Sequence, residues 1–194
     1  NLNKFKKFQQ TEIIEKLLIE KSITSSSAWI KFFDQTITRL KFNFRNRELT
    51  ETEIINLFSS HDKSIRKDAA LSFGKTLKDN IFNFTSIMNN ISKDLDIDKT
   101  LRGFKFSESS RHLSNQIDKE DVDSLVKTVK SNYASISHRY YKYKAKYFRQ
   151  KKLNFWDRNA PYPKSKNVNI SWKEAERIVL KSYYDFDERL ADIA

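Results

Sequence analysis

Cysteine is absent from this 194-residue chain, and glycine and proline occur twice each. Without thiols there is no disulfide framework and no thiolate metal site, a usage that fits a reducing, cytoplasmic setting. Scarce glycine and proline remove most of the turn signals that an all-β or doubly wound fold needs, which leaves a mainly α fold. No apolar run approaches the roughly 18 residues of a membrane span, and no signal-peptide pattern opens the sequence. The expectation is a soluble cytoplasmic protein with no membrane partner. Histidine is limited to His61, His112 and His138, followed by DKSI, LSNQ and RYYK. None has a second His one helical turn on, as the HExxH zinc helix requires. Isolated glycines cannot cradle a phosphate, and no Ser lies in a GxSxG-type context. The acids Asp94, Asp96 and Asp98, or Asp121 and Asp123, read as helix caps or solvated loops. Taken alone, the sequence displays no recognisable active site.

What is present is 38% apolar and 13% aromatic residues, enough for a packed core and too much for disorder. The length suits one sizeable core or two small ones, and the reading is a single helical unit over 1–194 with an irregular, proline-containing segment at 153–170. The formal charge is +12, yet His138 to Lys166 holds ten Lys or Arg and one acid, Asp157. The remainder carries 27 bases against 24 acids, so the basicity is local and not a uniform nucleic-acid coat. Lysine outnumbering arginine, with abundant Asn and Ile, is also the usage of an AT-rich coding sequence. A solvated helix face therefore accounts for much of this charge. The chain starts without Met and stops within a helical pattern after Asp187, so the expectation is an incomplete piece of a larger protein.

Apolar periodicity predicts a succession of helices. Thr11 caps the first, with Ile13, Ile14, Leu17 and Leu18 on one face, and residues 22–27 break it. A second runs from Ala28 to about Leu40. Phe42 and Phe44 support only an extended connection. Thr50 and Glu53 form a capping box. The longest pattern, about Ser64 to Ile91, contains Gly74, which suggests a close helix crossing. Asp98 to Ser110 reads as a loop around Gly103. Asp118 caps a helix with Val122, Leu125, Val126 and Val129 inward, and a basic, aromatic helix continues to about Lys152. Ser171 and Glu174 form another capping box, opening a helix with Ala175, Ile178, Val179 and Tyr183 on one face.

Several runs together carry a resemblance: EKSITSSSAWIKFFDQTITRLKF, then IRKDAALSFGKTLKDNIFNFTSIMNNISKDLDI, SRHLSNQID, SHRYYKYKAKYF, LNFWDRNAP and SWKEAERIVLKSYYDF. In this order, from about Glu20 to Ala194, the chain resembles the oligoendopeptidase F branch of the thimet-oligopeptidase-like zinc metallopeptidases. The most specific pieces are Ser137 to Lys144 and Trp156 to Pro161. The resemblance implies a multi-helix, non-catalytic portion of a helical metallo-oligopeptidase fold, in which two parts enclose a deep channel for short peptides. Zinc is implied for the complete family member and not for this chain. The HExxH helix, the further Glu ligand and the His and Tyr that stabilise the transition state all lie C-terminal to the matched region. No catalytic or metal-binding residue carries over, and the chain alone is expected to be inactive.

Within the family-like runs the candidate substrate-channel residues are Arg111, His112, Arg139, Tyr140, Tyr141, Trp156, Arg158 and Asn159. Arg and Tyr suit peptide carbonyls and a terminal carboxylate. The competing reading makes Tyr140, Tyr141 and Phe148 a packing face and lets Arg158 tie down its segment through Asp157 or a helix end. Two further readings stand beside the peptidase. One is a nucleic-acid module using Lys142, Lys144, Lys146, Arg149, Lys151 and Lys152, the less favoured partner class. The other is a non-catalytic subunit of a split peptidase gene, completed by a complementary catalytic fragment.

Overall fold

The computed structural model describes residues 2–162 and 170–193. Their contacts group them in two compact units, Asn1–Pro161 and Tyr162–Ala194, each described by itself. The first holds helices α1 (Leu2–Lys6), α2 (Glu12–Ser22) and α3 (Ser26–Arg39), strands β1 (Phe42–Phe44) and β2 (Arg47–Leu49), then α4 (Glu51–Asn56), α5 (Lys63–Asp79), α6 (Ile81–Arg102), α7 (Ser109–Ser114), α8 (Lys119–Ser131) and α9 (Ser137–Tyr147). Tight 3-10 turns lie at Leu57–Ser59 and Phe155–Asp157. The second unit holds α10 (Trp172–Phe186) and α11 (Glu188–Ile193). The mainly α fold expected from composition is what forms. Among the described residues no helix is long and apolar enough to cross a membrane.

The core of the first unit is small and aromatic. Phe42 on β1, Ile54 on α4 and Ala69 on α5 are fully buried, with Leu40, Phe44, Leu49, Leu57, Phe58 and Phe73 packed around them. The Phe42 ring stacks on Phe73 at 5.3 Å, and Phe58 meets Phe73 edge-on at 5.7 Å. The extended connection expected at Phe42 and Phe44 is in fact half of an antiparallel hairpin, with Phe42 opposite Leu49 and Phe44 opposite Arg47. Arg45 and Asn46 close it with φ of 46° and 66°, the double left-handed turn that matches strand twist. Non-glycine residues pay strain for that backbone, and Arg45 is held by Asp68 Oδ2 at 2.7 Å and by the Ser64 hydroxyl. Ser72 Oγ donates to Asn43 O at 2.6 Å. The hairpin is thereby clipped along α5.

Local hydrogen bonds decide where helices start and stop. The Thr50–Glu53 capping box is complete: Thr50 Oγ1 accepts from Glu53 N, and Glu53 Oε2 accepts from Thr50 N at 2.7 Å. Thr11 and Asp118 stand at N-cap positions without side-chain caps. Glu15 instead takes Gln10 N, and Asp118 accepts from Lys4 Nζ. At Ser171 half of the expected box forms, because Glu174 turns its carboxylate to Arg177. The single helix expected from Ser64 to Ile91 is divided at Asn80, whose Nδ2 donates to Thr76 O at 2.9 Å and so ends α5. Beyond it α6 runs through Asp98 to Arg102, residues expected to be a loop. Gly103 then stops it with φ 68°, and Phe104 N reaches back to Lys99 O.

Three further expectations are corrected. A Cβ built at Gly74 meets nothing within 4 Å, so no helix crosses closely there. The basic aromatic helix stops at Tyr147, not Lys152. Leu125, Val126 and Val129 of α8 are exposed rather than inward. An amphipathic period reports that a face suits burial, not that this chain covers it. Ile178, Val179 and Tyr183 on α10 are exposed for the same reason. Of the expected irregular segment, residues 163–169 lie outside the described residues.

Replacing Phe42 by Ala removes a fully buried ring and is expected to cost about 3–5 kcal/mol in urea unfolding followed by circular dichroism. Gly74→Ala, in open helical space, should stabilise the chain by about 1 kcal/mol in the same assay.

Candidate functional site

The most specific sequence run, Trp156 to Pro161, forms a buried electrostatic junction. Asp157 is 0% exposed and Arg66 on α5 is 1% exposed, with Nη2 donating to Asp157 Oδ1 at 2.7 Å. Arg66 Nη1 donates to the carbonyls of Ser60 and His61 at 2.8 and 3.0 Å. Gln150 Nε2 and Asn154 Nδ2 donate to Asp157 Oδ2, both at 3.3 Å. Burial pushes the Asp157 carboxyl up, but the hydrogen bonds from Arg66, Asn154 and Gln150 outweigh it and hold the group below its ordinary value. Arg66, not Arg158, is therefore the partner of Asp157.

This junction also explains why α9 ends early. Arg149 adopts φ 55°, and Gln150 N bonds back to Ala145 O at 2.9 Å, a left-handed helix stop that aims the Gln150 side chain at Asp157. Lys144 is buried, and its Nζ donates to Arg158 O at 2.6 Å. It is not placed to neutralise a phosphate, contrary to its expected role in a nucleic-acid module.

The eight candidate channel residues fall on different elements. Arg111 and His112 sit on α7, exposed and half-buried respectively. Arg139, Tyr140 and Tyr141 are on α9, with the two tyrosine rings edge-to-face at 5.2 Å. Trp156 lies in the 3-10 turn against Phe155, its Nε1 buried without a hydrogen-bond partner among the described residues. Arg158 and Asn159 follow, both exposed. Tyr141 and Arg158 line one hollow of about 570 Å³, together with His138, Lys142, Lys152 and Phe155. Arg139 lines a second, with Lys142, Tyr143, Lys146 and Lys151. Arg111 and His112 line neither. Arg66 went unnoticed in the sequence, although its spacing to Ala69, Ala70 and Phe73 puts a charge on the buried stripe of α5. That is the pattern a paired buried ion leaves.

The described residues include no group of three His, Cys, Asp or Glu side chains placed to hold a metal ion. His61, His112 and His138 are distributed over three separate segments. The described residues therefore do not fit a zinc centre.

No family model matches the chain. It is 29% identical over 179 residues to an oligoendopeptidase F homolog of Borreliella burgdorferi, covering 91% of this chain and 30% of that protein. It is 22% identical to oligopeptidase PepF of Bacillus subtilis, covering 76% of the chain and 22% of the relative. A solved structure from Bacillus anthracis str. Ames, described as an oligoendopeptidase F, superposes with TM-score 0.74 at 18% identity, over 96% of this chain and 34% of the other. A peptidase structure from Chlamydophila abortus gives 0.69 at 19% identity, over 91% and 30%. The chain thus has the fold of one helical part of these peptidases and spans a third or less of the length of the two sequence relatives. The expected resemblance to oligoendopeptidase F stands.

Because the folded-state pKa of Asp157 is depressed, the stability it contributes is present above the unfolded value near 4 and is lost as pH falls through the folded one. Asp157→Asn, which strands a buried guanidinium, should cost about 3–5 kcal/mol at neutral pH. The gap between the two proteins should close in strong acid, as read by urea unfolding across a pH series.

Proposed function

We propose that this chain forms part of the helical channel wall of a zinc-dependent oligoendopeptidase that hydrolyses short peptides. The observation that carries the reading is the match along 91% of the chain to an oligoendopeptidase F homolog, joined to a helical fold of the same kind. In this reading the zinc ion and its ligands belong to a catalytic region outside these residues, on the same or a separate polypeptide, and the chain alone does not cleave peptides. Zinc would there polarise the scissile carbonyl and activate water. This chain's contribution is to bind and orient: Tyr141 and Arg158, brought together at one hollow, present a hydroxyl and a guanidinium to peptide carbonyls or a terminal carboxylate. The cysteine-free composition suits a cytoplasmic location.

The test is a chimera in which this chain replaces the matching region of the Borreliella burgdorferi relative, assayed with a quenched fluorogenic peptide. Zinc-dependent cleavage is expected. A folded, zinc-loaded chimera that neither binds nor cleaves peptide overturns the reading. In the active chimera Arg158→Ala should raise KM severalfold with kcat little changed; unchanged kinetics with lower thermal stability would make Arg158 structural.

A further inference from the structure

Some surface bases elsewhere in the first unit are paired with acids, as in Lys4 with Asp118, Arg45 with Asp68 and Lys119 with Asp123. Around α9 the bases are instead crowded, with a single acid, Asp157, among them. Arg139, Lys142, Lys146, Lys151, Lys152 and Arg158 are all exposed, and none forms an ion pair with a described residue. That acid, Asp157, is buried and committed to Arg66. With Asp157 so committed, these six cations face solvent without an ion-pair partner among the described residues.

These cations line two adjoining hollows, of about 270 and 570 Å³, which share Lys142 and Lys151. Their remaining walls include Tyr143, 58% exposed, and Phe155, 69% exposed. Each hollow has room for one or two side chains, and each offers ammonium or guanidinium donors beside an aromatic face. A polymer that places carboxylates a few ångströms apart, with apolar atoms between them, is complementary to that lining. Unpaired surface cations of this kind also attract an anionic ligand from solution before contact. A nucleic-acid strand fits less well, because Lys144, midway along the helix, is buried and interrupts a phosphate track on α9.

We propose that this pair of hollows selects acidic peptides, with side-chain or terminal carboxylates held by Lys142 and Lys151 and flanked by Arg139 and Arg158. The inference rests on the peptide-binding reading above and adds to it the charge class of the peptides taken.

The test is fluorescence anisotropy of the 194-residue chain with dye-labelled peptides of about eight residues, matched in length and differing only in Glu, Gln or Lys at alternate positions. A single-stranded oligonucleotide of the same net charge as the Glu peptide completes the set. The Glu peptide should bind about tenfold more tightly than the Gln peptide, and the difference should shrink in high salt as exposed charges are screened. The double change Lys142→Glu with Lys151→Glu should abolish the preference while the helical circular dichroism signal is kept, and Lys142→Gln with Lys151→Gln should give an intermediate effect. Equal affinity for the Glu and Gln peptides overturns the acidic preference and leaves the peptide reading standing. A preference untouched by the charge reversals overturns the location. Tighter binding of the oligonucleotide than of the Glu peptide overturns the partner class, and failure to bind any peptide removes the peptide reading as well.

Discussion

The ion pair between Arg66 and Asp157 is the contact on which the organisation of the first unit turns. It joins residues 91 positions apart with almost no water at either side chain. Removing two such ions from water is costly, and the cost is offset only when most of their donor and acceptor directions are used; here Arg66 Nε is buried without a partner among the described residues. That condition reaches outward through the structure. It holds the carbonyls of Ser60 and His61 at the start of α5, it draws in Gln150 and Asn154, and it makes the left-handed turn at Arg149 worth its strain. An apolar pair of similar volume would hold the two segments together without specifying one register. The charged pair does specify it, because a shift of one residue would strand both ions.

The same device recurs at lower burial. Arg45 ties the hairpin to α5 through Asp68, and Arg102 ties α6 to α2 by donating twice to Glu15, at 2.7 and 3.1 Å. The Arg102 guanidinium, with Gln10 N, holds the Glu15 carboxyl below its ordinary value. Three arginines thus connect elements that are separate in the sequence. Planar, multiply donating guanidinium groups suit this role better than lysine, whose single ammonium gives no orientation. The lysines are left at the surface, and around α9 they set the field.

Much of the helical organisation was legible from the sequence, because apolar spacing and capping residues act locally. The Thr50–Glu53 box and the helix after Asp187 needed only neighbours in the chain. What was not legible depended on distant partners. Asn80 divides a continuous apolar stripe through one side-chain hydrogen bond, which a periodicity count passes over. The hairpin turn at Arg45 and Asn46 lacks the usual Asn-Gly signature, and its strain is held by α5. The family-like run at Trp156 to Pro161 was recognisable as a unit, but the assignment of its acid to Arg66 required the fold. The amphipathic face on α8 was located by its period but wrongly assumed to be covered, since Leu125, Val126 and Val129 are exposed.

The narrowness of the Phe42 core has a calorimetric consequence. Fully buried apolar residues are few, and long hydrophobic side chains such as Trp172, Phe186 and Ile13 remain more than 80% exposed. Heat capacity on unfolding follows the apolar surface newly hydrated, about 2.5 kcal/mol/K for an ordinarily packed chain of this length. Surface that is already wet in the folded state adds nothing to that change. The stability curve of the isolated chain is accordingly shallow, changing little between cold and warm, and its denaturant dependence is weak for its size.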